Sequence, residues 1–381
     1  MSGNTVPYDR LLAAHTEAQS FYRQQLLTSP VAQGPCHYLA QRRLAHVLAP
    51  DSIWQAGYAP ARWTDLADHL THLGFGEGEL LSAGLVCRSR RGGVIDRFRA
   101  RIMLPQRDEA GHVVGFIGRA APGAPVDVPK YLNTPQTPIY HKRQVLFGLH
   151  DQRRALAVGG RLVLVEGPLD VLAIAAATTA EDPATAVAPC GTALTREHVE
   201  LLTRCVPDDL DIIVAYDNDQ SGRQATVATY ELLIESTHPN QTLVAASLPR
   251  GTDPAELLQV HGPAALRSAL TGQTLHPLAE QAIDASLEPW VPVLDGIDGR
   301  VAAVKAVAPL IAKLPEADVA HQVVRLAGRV NLAPVTVGIA VTDALTSHPG
   351  RGSRVSRVSH QPATPAQVLS PQARASPRLE I

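Results

Sequence analysis

The sequence predicts an α/β protein with an α+β amino-terminal half, a Rossmann-like parallel sheet in the middle and a helical subdomain after it. Three patterns support this prediction. Between residues 161 and 248, apolar segments of strand length alternate with helical segments, which is typical of a parallel sheet covered by helices. Residues 94–104 and 112–119 have a period of two, which predicts a hairpin. From residue 254 to about 345, apolar residues recur at helical spacing.

These patterns divide the chain into five predicted segments. They are an N-terminal helix and linker (1–34), a basic mixed subdomain (35–155), the parallel-sheet domain (156–258), the helical subdomain (259–345) and a tail (346–381). The tail is rich in Ser, Pro and Arg and has no apolar period, so we expect it to be disordered.

Individual elements follow from the same periodicities and from Pro, Gly and Asp breaks. The stretch 121–140, rich in Pro, Gly and Thr, is predicted to be a loop. Besides the hairpin, we expect strands at 161–166, 184–188, 211–217 and 242–248, and helices at 8–28, 36–48, 63–73, 77–82, 168–178, 195–205, 221–236, 254–260, 263–270, 276–288, 299–313, 317–331 and 334–345.

Composition limits the classes of function. The chain has 381 residues, 45% of them hydrophobic, and a formal net charge of -2, so the overall charge does not indicate a nucleic-acid partner. The four cysteines form no Cys-x-x-Cys pair, which argues against a zinc site or a disulfide framework and predicts buried, reduced thiols. No apolar run has the length of a membrane span and no signal peptide opens the chain, so we expect a cytoplasmic protein without a membrane partner.

Acidic residues follow two strands of the predicted sheet. Glu166 ends one strand and Asp170 lies on the helix after it, whereas Asp217 and Asp219 end another strand. The carboxyl ends of parallel strands meet at one sheet edge, and the Asp-x-Asp spacing puts both carboxylates on one face of an extended segment. Clustered carboxylates without His or Cys favour Mg²⁺ or Mn²⁺ over zinc. Each acidic motif taken alone is more often a solvated turn with helix-capping acids.

A basic patch lies in the amino-terminal half. Residues 88–119 hold eight arginines against three acids. Arg97, Arg99 and Arg101 alternate with apolar residues, so a strand would place three guanidinium groups on one face, where they suit phosphate contacts. The alternative interpretation is a solvated sheet face.

The segments EGPLD and YDNDQSGRQA resemble the two acidic motifs of the Toprim domain, which is found in bacterial primases, topoisomerases and some nucleases. The resemblance implies that Glu166, Asp217 and Asp219 are catalytic and hold magnesium, with Asp170 as a supporting acid. The family's Asp-Pro-Asp motif corresponds here to Asp253-Pro254-Ala255, so Asp253 is retained as a metal ligand and the second acid is replaced.

The rest of the chain extends the resemblance. The segments GLVCRSRRGGVIDRFRARIMLPQRDEAGHVVGFIGR and PKYLNTPQTPIYHKRQVLFGL resemble the catalytic core of bacterial DnaG-type primases, and the likeness covers about residues 8–340. It implies magnesium-dependent synthesis of short RNA primers on single-stranded DNA from ribonucleoside triphosphates. The residues it assigns to template and nucleotide binding are Arg97, Arg99, Arg101, Arg119, Lys130, Asn133 and Lys142.

Two departures leave alternatives open. The family carries a zinc-binding domain ahead of the core and a helicase-binding domain behind it, and neither is recognisable here; no zinc is expected in this chain. A separate zinc-binding protein and a replicative helicase are therefore expected partners. The rival interpretations are a Toprim nuclease and a catalytically weakened nucleic-acid-binding protein of a mobile element.

Overall fold

The computed structural model describes residues 6–90, 92–157, 159–208, 210–236 and 241–347. Helix α1 (Tyr8–Thr28) opens the fold, as the 8–28 periodicity predicts. Its buried face, which includes Leu11, Phe21 and Tyr22, packs against a small sheet of the amino-terminal half. Apolar residues at helical spacing thus set both the helix and the side that it buries.

Three short helices and six strands complete the amino-terminal half. Strands β1, β4, β5 and β6 form an antiparallel sheet in that order, and β2 and β3 form a separate hairpin. The bounds are α2 (Gln33–Gln41), α3 (Asp65–His72), α4 (Glu77–Ser82), β1 (Gly57–Ala59), β2 (Val86–Arg88), β3 (Val94–Asp96), β4 (Arg101–Arg107), β5 (Val113–Ala120) and β6 (Tyr131–Asn133), with 3-10 turns at Pro30–Ala32, Ala45–Leu48 and Lys142–Gln144.

Two predictions for this half are wrong. The strand expected over 94–104 is two strands, β3 and β4, in different sheets, because residues 97–100 leave the extended conformation and Ala100 has a φ of 50°. The loop expected over 121–140 contains β6, which pairs with β5. In both places, tertiary pairing decides the structure and the local pattern does not.

The central domain is a five-stranded sheet between helices. Its strand order is β11-β10-β9-β7-β8, and all neighbouring pairs are parallel except β10 with β11. The elements up to β10 are α5 (Arg153–Ala157), β7 (Arg161–Leu164), α6 (Pro168–Ala177), β8 (Ala184–Val187), α7 (Arg196–Cys205), β9 (Ile212–Val214), α8 (Gln220–Ile234) and β10 (Leu243–Ala246). This confirms the predicted α/β class.

The remaining elements are mainly helical. They are α9 (Pro254–His261), α10 (Pro263–Ala269), β11 (Leu275–Pro277), α11 (Leu278–Leu287), a 3-10 turn (Glu288–Val293), α12 (Ile297–Ala312), α13 (Glu316–Val330) and α14 (Pro334–Ser347). The helix predicted over 276–288 is wrong at its start, where β11 adds an antiparallel edge strand to the sheet. The predicted tail, apart from its first two residues, lies outside the described residues. None of the described helices is both long and apolar enough to cross a membrane.

The two halves share one hydrophobic core. Phe147 forms an antiparallel bridge with Ala188, just beyond β8, and its ring stacks on Trp54 of the amino-terminal half. One buried cluster runs from Leu39 and Ile102 to Val163 in the sheet. The four cysteines are free, as expected, but the expectation that they are buried is confirmed only for Cys190, since Cys36 and Cys87 are half-buried and Cys205 is exposed at the end of α7. The shared core fixes the position of the basic half against the acidic sheet edge.

Asp96 joins the β3 end to helix α3. It is 2% exposed, and its carboxylate accepts the backbone N–H groups of Leu66 and Ala67, each at 2.8 Å. Burial raises the pKa of Asp96 to about 6, although the two backbone hydrogen bonds act in the opposite direction.

We expect Asp96 to give the stability a pH dependence. Its folded pKa of about 6 lies above the ordinary 3.8, so the native state keeps a proton that the unfolded chain has lost. The free energy of unfolding contributed by this group is therefore largest below pH 3.8 and declines as the pH rises to about 6. Urea denaturation between pH 4 and 7 should show a flatter profile for Asp96→Asn than for the wild type. The exposed control Asp51→Asn should keep the wild-type slope; equal slopes in all three proteins would contradict the assignment.

Candidate active site

Two acidic residues meet where neighbouring strands end. Strands β7 and β9 pair in parallel, with Leu164 opposite Val214, and the chain continues from them to Glu166 and Asp217. The backbone N–H of Asp217 donates to Oε1 of Glu166 over 3.2 Å. The parallel pairing thus brings together two carboxylates that are 51 residues apart in the sequence.

A glycine allows the helix after β9 to begin against this pair. A Cβ atom on Gly222 would lie 1.9 Å from the carbonyl oxygen of Asp217 and 3.1 Å from Oε1 of Glu166. Asp219 caps the same helix, accepting the backbone N–H of Gly222 and the hydroxyl of Ser221, both at 2.8 Å. Position 222 therefore has room only for hydrogen.

Asp170 and Asp253 approach the pair from two helix starts. Asp170 lies in the first turn of α6, is 7% exposed, and accepts the backbone N–H of Ala255 at 3.1 Å. Asp253 caps α9 by accepting the N–H of Glu256. Ala255, which stands where the family has a second acid, is buried, and its backbone holds Asp170 in place.

Acidic and basic side chains together line a cavity of about 270 Å³. Its acidic residues, here called the acidic wall, are Glu166, Asp170, Asp217 and Asp253, and its basic residues, here called the basic wall, are Arg42, Arg119 and Lys130. Asn133 and Gly191 also line the cavity. Asp219 is not among the lining residues, although its charge raises the pKa values of Glu166 and Asp217.

Burial and mutual repulsion raise the pKa values of three acids of this wall, Glu166, Asp170 and Asp217. Burial raises the pKa of Asp170 to about 8 and that of Asp217 to about 7, and neighbouring carboxylates add to both shifts. Burial also raises the pKa of Glu166. The pKa of Asp219 is instead lowered, mainly by its hydrogen bond from Gly222. A divalent cation would offset the repulsion that these carboxylates exert on one another.

The acidic wall fits a hard cation by its chemistry. Its ligand atoms are all carboxylate oxygens, which Mg²⁺ and Mn²⁺ prefer. Within the described ranges, however, no three acidic, histidine or cysteine side chains are gathered into a ready-made metal-binding group. A bound ion would therefore keep several water ligands or draw the carboxylates closer, as Mg²⁺ commonly does.

Lys130 and Asn133 line the cavity from the amino-terminal half. Asn133 donates its Nδ2 to the carbonyl of Cys190 at 3.1 Å, and Gly191, with a φ of 93°, leaves the space that this amide occupies. Lys130 is exposed and lowers the pKa of Asp217 across the cavity. Asn133 thus ties the strand that carries it to the sheet domain.

The predicted row of arginines does not exist. Arg101 is 5% exposed, and its guanidinium donates to the carbonyls of Gly118 and Pro129 at 3.0 and 2.9 Å. Arg99 stacks on the Trp63 ring at 4.3 Å, and Arg97 is half-buried. The prediction of one guanidinium face is wrong because residues 97–100 are not a strand.

Lys142 is not among the residues that line the cavity. It begins a 3-10 turn, and its carbonyl oxygen lies 2.8 Å from Nε2 of the buried His198. Nδ1 of His198 in turn lies 3.2 Å from the backbone N–H of Thr195. The neutral tautomer with its proton on Nε2 satisfies both contacts, so His198 anchors the turn that carries Lys142.

Sequence reasoning missed Arg42, Gly191 and Tyr38. Arg42 follows α2 in a run of polar residues that gives no sign of its position, and Gly191 lies in the segment CGTALTREHVELL, which resembles the region between the two acidic motifs in bacterial primases but assigns the glycine no role. Tyr38 lies beside both Arg42 and Arg119, at 5.2 and 5.1 Å from their guanidinium carbons. Arg42 reaches the cavity from the end of α2 and Gly191 from the loop after β8, so their positions depend on tertiary packing.

Comparison with known proteins identifies the family. The family described as DNA primase catalytic core, N-terminal domain, matches residues 21–153, and the family described as Toprim-like matches residues 163–258. The structure of the RNA polymerase domain of Mycobacterium tuberculosis primase DnaG aligns with a TM-score of 0.70 and 34% identity, over 84% of this chain and 99% of that one. This chain belongs to the DnaG primase family.

Further relatives agree with this assignment. The DNA primase of Mycobacterium tuberculosis (strain H37Rv) is 36% identical over 365 residues, which is 93% of this chain and 55% of that protein. A DnaG primase catalytic domain bound to single-stranded DNA aligns with a TM-score of 0.69 and 33% identity, over 85% of this chain and 96% of that one. The chain spans about half the length of the curated relatives that it matches. Toprim primases generally use a divalent metal.

We expect Gly222→Ala to disorder the acidic pair. The added methyl overlaps the carbonyl of Asp217, so the start of α8 must shift, which costs about 1–3 kcal/mol of unfolding free energy. The matched control is Gly328→Ala, because position 328 is exposed on α13 and has open space. The control should be neutral or stabilise the protein by up to about 1 kcal/mol. Thermal unfolding and Mn²⁺ titration measure both effects; a Gly222→Ala protein with wild-type stability and Mn²⁺ affinity would contradict the expectation.

Proposed function

We propose that this chain is the RNA polymerase core of a DNA primase, which copies single-stranded DNA into short RNA primers from ribonucleoside triphosphates in the cytoplasm. The observation that carries the proposal is the cavity that the acidic wall and the basic wall line together. The negative charge of a triphosphate suits the cations of the basic wall. The divalent ion that accompanies its phosphates suits the carboxylates of the acidic wall.

Glu166 and Asp217 would hold Mg²⁺ or Mn²⁺, with Asp219, Asp170 and Asp253 around them. The bound ion would activate the attacking hydroxyl and neutralise charge on the phosphates. Asp170 is held by the N–H of Ala255 and Asp219 by that of Gly222, so these two carboxylates are pre-oriented by backbone.

The basic wall would bind and orient the triphosphate. Arg119 and Lys130 were predicted for this role, and we add Arg42 because it lines the same cavity. Fixed cations around a phosphate contribute by positioning and by stabilising charge that develops during transfer. Lys142, away from the cavity, is proposed to contact nucleotide or template outside it.

Arg97 and Arg99 are proposed to contact the template backbone. Arg101 is left out of this set because both of its hydrogen-bonding contacts are backbone carbonyls of its own domain. A replicative helicase and a separate zinc-binding protein stay predicted partners, drawn from the family resemblance.

Primer synthesis tests the proposal. Purified protein with single-stranded DNA, labelled ribonucleotides and Mg²⁺ or Mn²⁺ should produce short RNA. Glu166→Gln and Asp217→Asn should reduce the rate by about two orders of magnitude or more, since a catalytic metal supplies several kcal/mol. Glu181→Gln, an exposed acid away from the cavity, is the matched control and should leave the rate unchanged.

The other outcomes identify the rivals. Degradation of the template that depends on Glu166 would indicate a Toprim nuclease. Retention of DNA without RNA synthesis, also after addition of a zinc-binding domain from a related primase, would indicate a binding protein. Either result would contradict the primase proposal.

We expect Arg99 and Arg101 to differ in their contribution to the salt dependence of DNA binding. Arg99→Ala should weaken binding to all single-stranded sequences and reduce the slope of log K against log salt by about 0.7. Arg101→Ala should lower the melting temperature, because the carbonyls of Gly118 and Pro129 lose their donor, and should leave the slope unchanged. Fluorescence anisotropy at several salt concentrations measures the slopes. A reduced slope for Arg101→Ala with unchanged stability would reverse the assignment.

A further inference from the structure

The three cations of the basic wall are separated by two tyrosine rings. The guanidinium carbons of Arg42 and Arg119 lie 5.2 and 5.1 Å from the centre of the Tyr38 ring. Arg119 also lies 5.1 Å from the centre of the Tyr131 ring, and Nζ of Lys130 lies 5.8 Å from that centre. The order is therefore cation, ring, cation, ring, cation.

This alternation meets an electrostatic need. Arg42, Arg119 and Lys130 line one cavity and repel one another. The face of a tyrosine ring carries partial negative charge and attracts a cation within about 6 Å of its centre. Each ring therefore stabilises two neighbouring cations without the help of a carboxylate. A carboxylate in the same place would cancel the positive potential that attracts a phosphate.

The central cation is held most firmly. Arg119 is 8% exposed and donates from its guanidinium to the Tyr131 hydroxyl at 2.7 Å. Burial raises the pKa of Tyr131, so its hydroxyl stays neutral and remains an acceptor for Arg119. The two rings and this hydrogen bond fix the direction of the guanidinium, and within the described residues it makes no other hydrogen bond, so its other N–H groups can donate to a ligand.

We infer that Tyr38 and Tyr131 are positioning residues that hold the basic wall, and Arg119 above all, in the orientation that binds the triphosphate of an incoming nucleotide. The inference rests on the proposed function. It adds that affinity for nucleotide depends on two aromatic side chains, one of which, Tyr38, is not among the residues that line the cavity.

The two tyrosines differ in a way that gives a matched pair of variants. The hydroxyl of Tyr38 is buried and has no hydrogen-bond partner among the described residues, whereas the hydroxyl of Tyr131 accepts from Arg119. Tyr38→Phe keeps the ring beside Arg42 and Arg119 and loses no hydrogen bond, so it should weaken nucleotide binding less than Tyr131→Phe does. Tyr131→Phe should weaken it by about 3- to 10-fold, because Arg119 loses its fixed acceptor while the ring remains. Tyr38→Leu and Tyr131→Leu, which remove a ring, should weaken it by about 3- to 30-fold.

The experiment measures the dissociation constant of ATP with Mg²⁺ by equilibrium dialysis, without template or synthesis. The melting temperature of each variant is measured beside it, and KM and kcat for ATP are added where RNA is made. Because the tyrosines act before chemistry, the weaker binding should appear in KM with little change in kcat.

A double-mutant cycle separates positioning from folding. If Tyr131 acts through Arg119, Tyr131→Phe should have no further effect on ATP affinity in an Arg119→Ala protein. An equal loss in both backgrounds, or a lower melting temperature with unchanged affinity, would overturn the inference. If Arg119→Ala itself leaves ATP affinity unchanged, the proposed function of the basic wall is contradicted. If Arg119→Ala weakens ATP binding but the tyrosine variants do not, only the inference about the tyrosines is contradicted.

Discussion

The parallel pairing of β7 with β9 is the constraint on which the site depends. It places Glu166 and Asp217 one hydrogen bond apart, although the carboxylates would repel each other if both were charged in a dry site. The structure tolerates this because the two strands are buried and their ladder fixes the chain up to Leu164 and Val214, two and three residues before the acids. Gly222 completes the arrangement, because the helix that follows β9 can start against Asp217 only where no side chain intervenes.

The contacts between the two halves explain why the cavity has walls of opposite charge. Asn133 from β6 donates to the carbonyl of Cys190, which follows β8. Phe147 forms a β-bridge with Ala188, two residues before Cys190. The amino-terminal sheet is thereby fixed with its cationic edge toward the carboxyl ends of the parallel strands. Opposite charges then line one space that a phosphate and a cation can fill together, and no direct salt bridge joins them within the described residues.

Much of this could be predicted from the sequence, for a physical reason. The strands and helices of the parallel sheet follow from local apolar runs and helical periods. Because ligands of such sheets bind at the carboxyl ends of the strands, Glu166, Asp170 and Asp217 could be predicted to share one site. The amino-terminal half is different. Whether Arg101 faces solvent depends on a turn at Ala100 with positive φ, and the cavity position of Arg42 depends on how α2 packs, and neither is visible in a window of sequence. The family resemblance proposed from the motifs is confirmed, whereas the roles of single residues stay proposals.

The replacement of an acid by Ala255 changes the electrostatics in a definite direction. A carboxylate at this position would lie beside Asp170, whose pKa burial and the neighbouring Asp253 already raise to about 8. A further negative charge would raise it more, and would have to be offset by a second cation or by a proton. Alanine removes that demand and packs its methyl into the core, while its N–H still holds Asp170. The acidic wall therefore needs less positive charge to be neutralised than one with both acids, and the ion proposed at Glu166 and Asp217 would meet most of that need.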